Sequence, residues 1–228
     1  MASATGPSFA LTYAELPALF HHSVDLQTVS APHWLLRNEA LASSIGIGVE
    51  WLRSGDALGA LGGNAPLPGA TPVAMAYSGH QFGGFVPLLG DGRAMLAGEW
   101  LAPDGTRLDL HLKGSGATVY SRNGDGRATL AAMLREYILG EAFAGLGIPA
   151  SRALAVITTG DPVYRQRKEA GAVLTRVAKS HVRVGTFQLA ALHRDRDALQ
   201  ALLDYECARN FPSPPAGLAK PRHVLRTA

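Results

Sequence analysis

The residues of this chain best suited to chemistry are cations set among glycines, with one well-placed glutamate. Leu89-Gly90-Asp91-Gly92-Arg93-Ala94 is a glycine-containing turn leading into a strand. Glycines let a backbone approach a phosphate closely, and an adjacent arginine can fork onto its oxygens. The same letters also suit an ordinary hairpin turn, which Asp-Gly favours. Lys113, followed by Gly114-Ser115-Gly116, could hold a phosphate as a point charge. Asn123-Gly124-Asp125-Gly126 then leads into a segment bearing Glu136. A strand lysine paired with a helix glutamate is the arrangement kinases use to fix a lysine beside nucleotide phosphates. Either residue alone reads equally well as a solvated surface charge. Arg176 and Arg183 flank Lys179-Ser180-His181. That spacing suits an anionic ligand, or else a solvated edge strand whose charges discourage aggregation.

These residues need elements to position them. Residues 95–101 and 107–113 flank Pro103-Asp104-Gly105-Thr106, a turn signal, and predict a hairpin. In its second arm Leu108, Leu110 and Leu112 alternate with Arg107, Asp109, His111 and Lys113. Period-2 geometry sends the leucines to the core and Lys113 to the opposite, polar face. Leu130, Met133, Leu134, Tyr137 and Ile138 form one apolar helical stripe, with Gly145 and Gly147 as its stop. Glu136 projects from the flank of that helix. Strands are expected over residues 153–159 and 172–178, with Asp161-Pro162 opening the connection, and an amphipathic helix over 195–208. The fold class is therefore α+β, a small antiparallel sheet braced by a helix. Upstream, residues 41–47 suggest a short helix, and 55–72, rich in Gly, Ala and Pro, an ordered excursion or linker. The organisation is an N-terminal extension over 1–70, a nucleotide-binding lobe over 71–210 and a Pro-rich, disordered tail over 211–228.

Composition narrows the function classes. The chain has 228 residues, 47% hydrophobic and 17% charged, which suffices for a packed core. No apolar run approaches the length of a membrane span, and the first basic residue, Arg37, comes too late for a signal or transit peptide. Cys207 stands alone, which excludes an internal disulfide and any multi-cysteine metal site. A cytoplasmic protein with no membrane partner is the expectation. The net charge of +3 is a weak field over this length, so no nucleic-acid partner is expected either. Leu112 precedes Lys113 where a Walker A loop needs glycine. Gly145-Leu146-Gly147-Ile148-Pro149-Ala150 matches the dinucleotide pattern by letter but ends a helix instead of following a strand. The eight histidines show no metal-ligand spacing.

Several long motifs occur in a definite order: Tyr77-Ser78-Gly79-His80-Gln81-Phe82-Gly83, Leu89-Gly90-Asp91-Gly92-Arg93-Ala94, Leu110-His111-Leu112-Lys113-Gly114-Ser115-Gly116, Tyr120-Ser121-Arg122, Asp125-Gly126-Arg127-Ala128 and Arg135-Glu136-Tyr137. Arg176-Val177-Ala178, Ser180-His181 and Arg183-Val184-Gly185-Thr186-Phe187 follow. Together, over roughly residues 10–210, they closely resemble the SelO/YdiU family. The resemblance implies a protein-kinase-like fold, of which this chain carries the N-lobe with no C-lobe, and ATP bound in a flipped orientation. It implies transfer of AMP to Ser, Thr or Tyr hydroxyls of protein substrates, with Mg²⁺ or Mn²⁺. It further implies that Gly90, Gly92 and Arg93 form the nucleotide loop and that Lys113 contacts phosphate and pairs with Glu136. Asp125, Gly126, Arg176 and Arg183 would complete the ATP site. The family's catalytic Asp-Asn pair and metal-binding Asp lie further along its sequences, so no catalytic or metal-binding residue is assigned here. A truncated adenylyltransferase and an inactive nucleotide-binding or regulatory fragment both remain open.

Overall fold

A computed structural model describes residues 7–211. The sequence expectation for a disordered tail lies almost entirely outside the described residues. Two short 3-10 helices, Thr12–Glu15 and Ala18–Phe20, lead into strand β1 (His21–Ser23) and strand β2 (His33–Arg37). Three short helices follow, α1 (Glu39–Ser44), α2 (Val49–Arg53) and α3 (Gly55–Leu61). After β3 (Val73–Met75), the small ribbon β4 (Gly79–Gln81) and β5 (Gly84–Val86) precedes the hairpin β6 (Ala94–Leu101) and β7 (Arg107–Lys113). Helix α4 (Leu130–Gly145), strands β8 (Arg152–Tyr164) and β9 (Lys168–Ala178), and helices α5 (Val184–Leu192) and α6 (Arg196–Asn210) complete it.

Seven strands form one antiparallel sheet in the order β1-β3-β6-β7-β9-β8-β2. The fold is thus α+β, as its sequence pattern predicts, with a sheet larger than four strands. Both edge strands come from the first 70 residues, so the segment read as an extension is woven into the sheet. The stretch read as a linker contains α3, whose first turn is capped by Ser54 Oγ accepting from the Ala57 amide at 3.1 Å. Ala57, Ala60 and Leu61 are buried, which is why the glycines around them do not loosen it.

The sheet is covered on both faces. On one, Leu41, Ile47, Leu52 and Leu61 pack with Leu110, Leu112, Leu154 and Val173. On the other, Met133 of α4 meets Val156 and Leu174, while Ala190, Ala198 and Leu202 of α5 and α6 meet Met75 and Leu96. Burial of this apolar surface, at roughly 25 cal/mol per Å², is the main force holding the layers together. The hairpin predicted from residues 95–101 and 107–113 is β6–β7 with its turn in place. Three expectations need correction. Asp161 and Pro162 do not open the β8–β9 turn; they sit at a register shift within β8, and the turn is Arg165–Arg167. Ile138 does not face the core: it is exposed on α4 beside Leu139, Phe143 and Leu146, and Met133 is the helix's buried anchor. Nor is β9 an edge strand, since it lies between β7 and β8.

Candidate functional site

Gly90, Gly92, Arg93, Lys113, Asp125, Gly126, Arg176 and Arg183 all line one cleft of about 400 Å³. Seven cationic side chains, Arg93, Lys113, Arg122, Arg127, Arg165, Arg176 and Arg183, face two carboxylates, Asp91 and Asp125, around its wall. A concave surface with that excess of positive charge attracts a polyanion. Among the described residues, Arg93 and Arg183 form no ion pair with a carboxylate. Their charges therefore remain available to a ligand.

Lys113, at the end of β7, donates to Glu136 Oε2 of α4 at 2.5 Å. Arg176 of β9 shares the same carboxylate, donating to Oε1 at 3.2 Å. Glu136 is thus a bracket: it does not line the cleft, but it holds two cations at its edge. Burial pushes the Lys113 ammonium pKa down, and the Arg176 charge pushes the same way, while Glu136 opposes both. Arg183, just before α5, lies over the Tyr77 ring with its guanidinium carbon 4.0 Å from the centroid. Asp125 pairs with Arg165 at 2.8 Å and accepts from the Arg127 amide at 2.9 Å, which holds its carboxyl pKa below the usual range.

The glycines answer to packing as well as to any ligand. Gly90 has φ +60°, and a Cβ there would lie 2.3 Å from the Tyr120 ring. Gly126, at φ +65°, would place a Cβ 2.0 Å from the Gly116 carbonyl carbon. The turn Gly114-Ser115-Gly116 does not line the cleft, and Ser115 is buried. Lys179, Ser180 and His181 also lie outside it. Ser180 donates to Glu206 at 2.9 Å, and the His181 amide donates to Asp109 at 2.7 Å.

The alternation along β7 concealed a further feature: the middle of its polar face is as buried as its leucine face. Asp109 and His111 are both buried. Asp91, between the two loop glycines, accepts from His111 Nε2 at 2.8 Å, from the Tyr77 hydroxyl at 3.1 Å and from the Met75 amide at 3.3 Å. Burial pushes the Asp91 carboxyl pKa up, but His111, Arg183 and Arg176 outweigh it and hold it at about 2. Burial pulls His111 down to about 3, with Arg176 and His181 adding to the fall. The imidazole is therefore neutral and the carboxylate ionised. Tyr77, Arg122, Arg127 and Arg165 also line the cleft without having been singled out for it. The Arg165-Gln166-Arg167-Lys168 cluster was the visible signal for Arg165, whose partner Asp125 lies 40 residues away.

A second cleft, about 600 Å³, lies by the β6–β7 turn and the end of α6. Two of its three cations are spoken for: Arg209 pairs with Asp109 and Glu99, and Arg107 with Glu99, while Lys179 forms no ion pair among the described residues. Among the described residues no three of His, Cys, Asp and Glu gather where they could hold a metal ion, and no helix is long and apolar enough to cross a membrane.

The chain is 53% identical over 207 residues to a protein nucleotidyltransferase YdiU of Brevibacillus brevis, covering 91% of this chain and 42% of that protein. It is 54% identical over 205 residues to the YdiU of Rhizobium rhizogenes, covering 90% and 40%, and 51% identical over 207 residues to that of Halalkalibacterium halodurans, covering 91% and 42%. The chain spans about two fifths of the length of these curated relatives. The sequence profile described as protein adenylyltransferase SelO matches residues 6–221, so the chain belongs to the SelO family.

Proposed function

We propose that this chain is the ATP-binding, kinase-like lobe of a protein adenylyltransferase. In that reaction a Ser, Thr or Tyr hydroxyl oxygen of a protein substrate attacks the α-phosphorus of ATP. An oxygen–phosphorus bond forms, the α–β anhydride bond breaks, pyrophosphate leaves with the developing negative charge, and the hydroxyl proton passes to solvent. The observation that carries the reading is the Lys113–Glu136–Arg176 bracket at the mouth of a cleft that Arg93 and Arg183 also line. Preorganised cations facing a departing pyrophosphate stabilise the charge that appears in the transition state. Gly90, Gly92, Asp125 and Gly126 shape the wall against which the nucleotide would lie.

The carboxylates at this cleft do not suit the divalent metal that the resemblance implies. Asp91 is taken by His111, Asp125 by Arg165 and Glu136 by two cations, so the described residues furnish no metal site and no step is assigned to one. The same engagement leaves none of these three in place to accept the substrate hydroxyl's proton. That favours a second reading for residues 1–228 taken alone, a nucleotide-binding module that does not transfer AMP.

Titration of the chain with ATP, followed by ligand-observed NMR, tests the first reading. Contacts exposed to water on one side support an affinity of roughly millimolar to high micromolar. Lys113→Ala and Arg176→Ala should each abolish detectable binding. Equal binding by wild type and Lys113→Ala would show that the cleft is not the nucleotide site. Incubation of the 228-residue chain with labelled ATP and a generic acceptor protein separates the two readings. Label on the acceptor at the rate of a full-length relative would sink the second.

A further inference from the structure

Arg176 must present its guanidinium to the cleft in one orientation, and two groups bonded to it decide how. Its Nη1 donates to Glu136 Oε1 at 3.2 Å, and its Nη2 to His111 Nδ1 at 2.8 Å. Glu136 also carries Lys113, so it holds Arg176 only in part. His111 has no such division. It is fully buried, and its other nitrogen, Nε2, faces Asp91 Oδ2 at 2.8 Å.

This geometry specifies the imidazole completely. A carboxylate only accepts, so Nε2 must carry the hydrogen; a guanidinium only donates, so Nδ1 must present its lone pair. Asp91 therefore selects the tautomer, and the tautomer provides the acceptor that Arg176 needs. Asp91 is itself fixed by the Tyr77 hydroxyl and the Met75 amide, and its backbone amide donates to the Met75 carbonyl at 2.9 Å. The second histidine, His181, stacks on His111 at 4.5 Å between centroids and 22° between planes, which prevents the ring from turning. The chain of support runs from the glycine loop to the phosphate-facing edge through buried groups, and only its last member, Arg176, reaches the cleft.

We propose that His111, oriented by Asp91, is a positioning residue that aims Arg176 at the phosphates of the nucleotide. The proposal rests on the cleft being the ATP site. His111 touches no ligand; it acts only through Arg176.

Two isosteres separate its two bonds. In His111→Gln the terminal amide nitrogen replaces Nε2, so Asp91 keeps its donor but Arg176 loses its acceptor. In His111→Asn the amide oxygen replaces Nδ1, so Arg176 keeps its acceptor while Asp91 loses its donor. Both variants and the wild type are titrated with ATP and, separately, with adenosine, and their folding is checked by thermal melting. Loss of one charge-assisted hydrogen bond predicts that His111→Gln binds ATP about tenfold more weakly. Its adenosine affinity should not change, because only the phosphate-facing cation is released. His111→Asn should keep ATP affinity within about twofold of wild type while melting at a lower temperature, because it leaves a buried carboxylate short of a donor. A general loss of structure would lower ATP and adenosine binding together in both variants, and would overturn the proposal. So would equal ATP affinity in His111→Gln and wild type. Nitrogen-15 NMR of the wild-type imidazole supplies a readout independent of ligand: hydrogen on Nε2 and a bare Nδ1 at pH 7 are expected, and the opposite tautomer or an imidazolium overturns it. If ATP binding is lost in Lys113→Ala but unchanged in His111→Gln, only this proposal fails. A wild type that binds no ATP removes the nucleotide reading and this proposal with it.

Discussion

Two buried polar clusters lie side by side on one face of β7, built from the same parts and put to opposite uses. Each contains a carboxylate, an imidazole and an arginine: Asp109, His181 and Arg209 in one, Asp91, His111 and Arg176 in the other. The two imidazoles stack on each other, so the clusters share a wall. In the first, Arg209 is only 5% exposed and meets two carboxylates, Asp109 and Glu99. Its charge is consumed inside the protein, where it ties α6 to the sheet. In the second, Arg176 is 15% exposed, lines the cleft and shares its carboxylate with Lys113. Together with Arg93 and Arg183 it leaves positive charge facing outward. What separates a structural ion cluster from a binding one is not its residue types but whether its cations are outnumbered by their own partners.

The comparison breaks most visibly at the closed cluster. Arg209→Met removes the cation from two buried carboxylates, and breaking a buried pair from one side costs about 3–5 kcal/mol. Urea denaturation should record that loss while ATP affinity of the folded protein stays at the wild-type value. A stable Arg209→Met would mean that the cluster is not what holds α6. At the open cluster the weights reverse. Arg176→Ala should cost ATP binding at least about tenfold, from lost charge-assisted contacts, but its unfolding midpoint should move less than that of Arg209→Met. A smaller effect is expected at the bracket. Glu136→Gln leaves Lys113 and Arg176 in place but less firmly held, so ATP affinity should fall by less than in either alanine variant. An equal loss in all three would make Glu136 a direct contact and not a bracket.

A pH series sharpens the comparison further. Both His111 and His181 have pKa values lowered by burial from the ordinary 6.5, the first to about 3. Around them stand Asp91, Asp109, Arg176 and Arg209, so the charged form of either ring would have cations as well as carboxylates for neighbours. Below pH 6.5 the unfolded histidines bind protons that the folded ones refuse, so stability falls as pH drops through the range between the two values. His111 contributes up to about 1.4 kcal/mol per pH unit there, and His181 adds in the same direction. His111→Gln should therefore flatten the acid limb of a stability curve measured from pH 7 to pH 4. An unchanged slope would show that His111 titrates normally in the folded chain.

Much of this arrangement was legible in the residues, and the rest was not, for identifiable reasons. The β6–β7 hairpin announces itself through leucine alternation and a Pro-Asp-Gly turn, and lies within one residue of expectation. Helix α6, expected over 195–208, runs Arg196–Asn210 with Asp195 as its cap. These are local signals. The stripe of α4 was legible only in part, since periodicity names an apolar face without saying how far its neighbours extend. The sheet covers Met133 and leaves Ile138 outside. The first 70 residues hid their role because β1 and β2 are short, and their partners β3 and β8 lie far along the chain.

The sequence by itself determined the period-2 and period-3.6 patterns, the turns, and the short motifs that mark the cations of the cleft. Each depends on neighbours a few residues apart, where backbone geometry is fixed by local sterics. Only the tertiary structure decided which charges are spent and which remain. Alternation put Asp109, His111 and Lys113 on one polar face, as if all three met water. Folding laid α4, α5 and α6 over that face, buried the first two and left the third at the rim of the cleft. Their partners, Arg209, Asp91 and Glu136, come from three different elements. An ion pair is a matter of distances of a few ångströms, and separation along the chain does not encode such distances until the layers have packed.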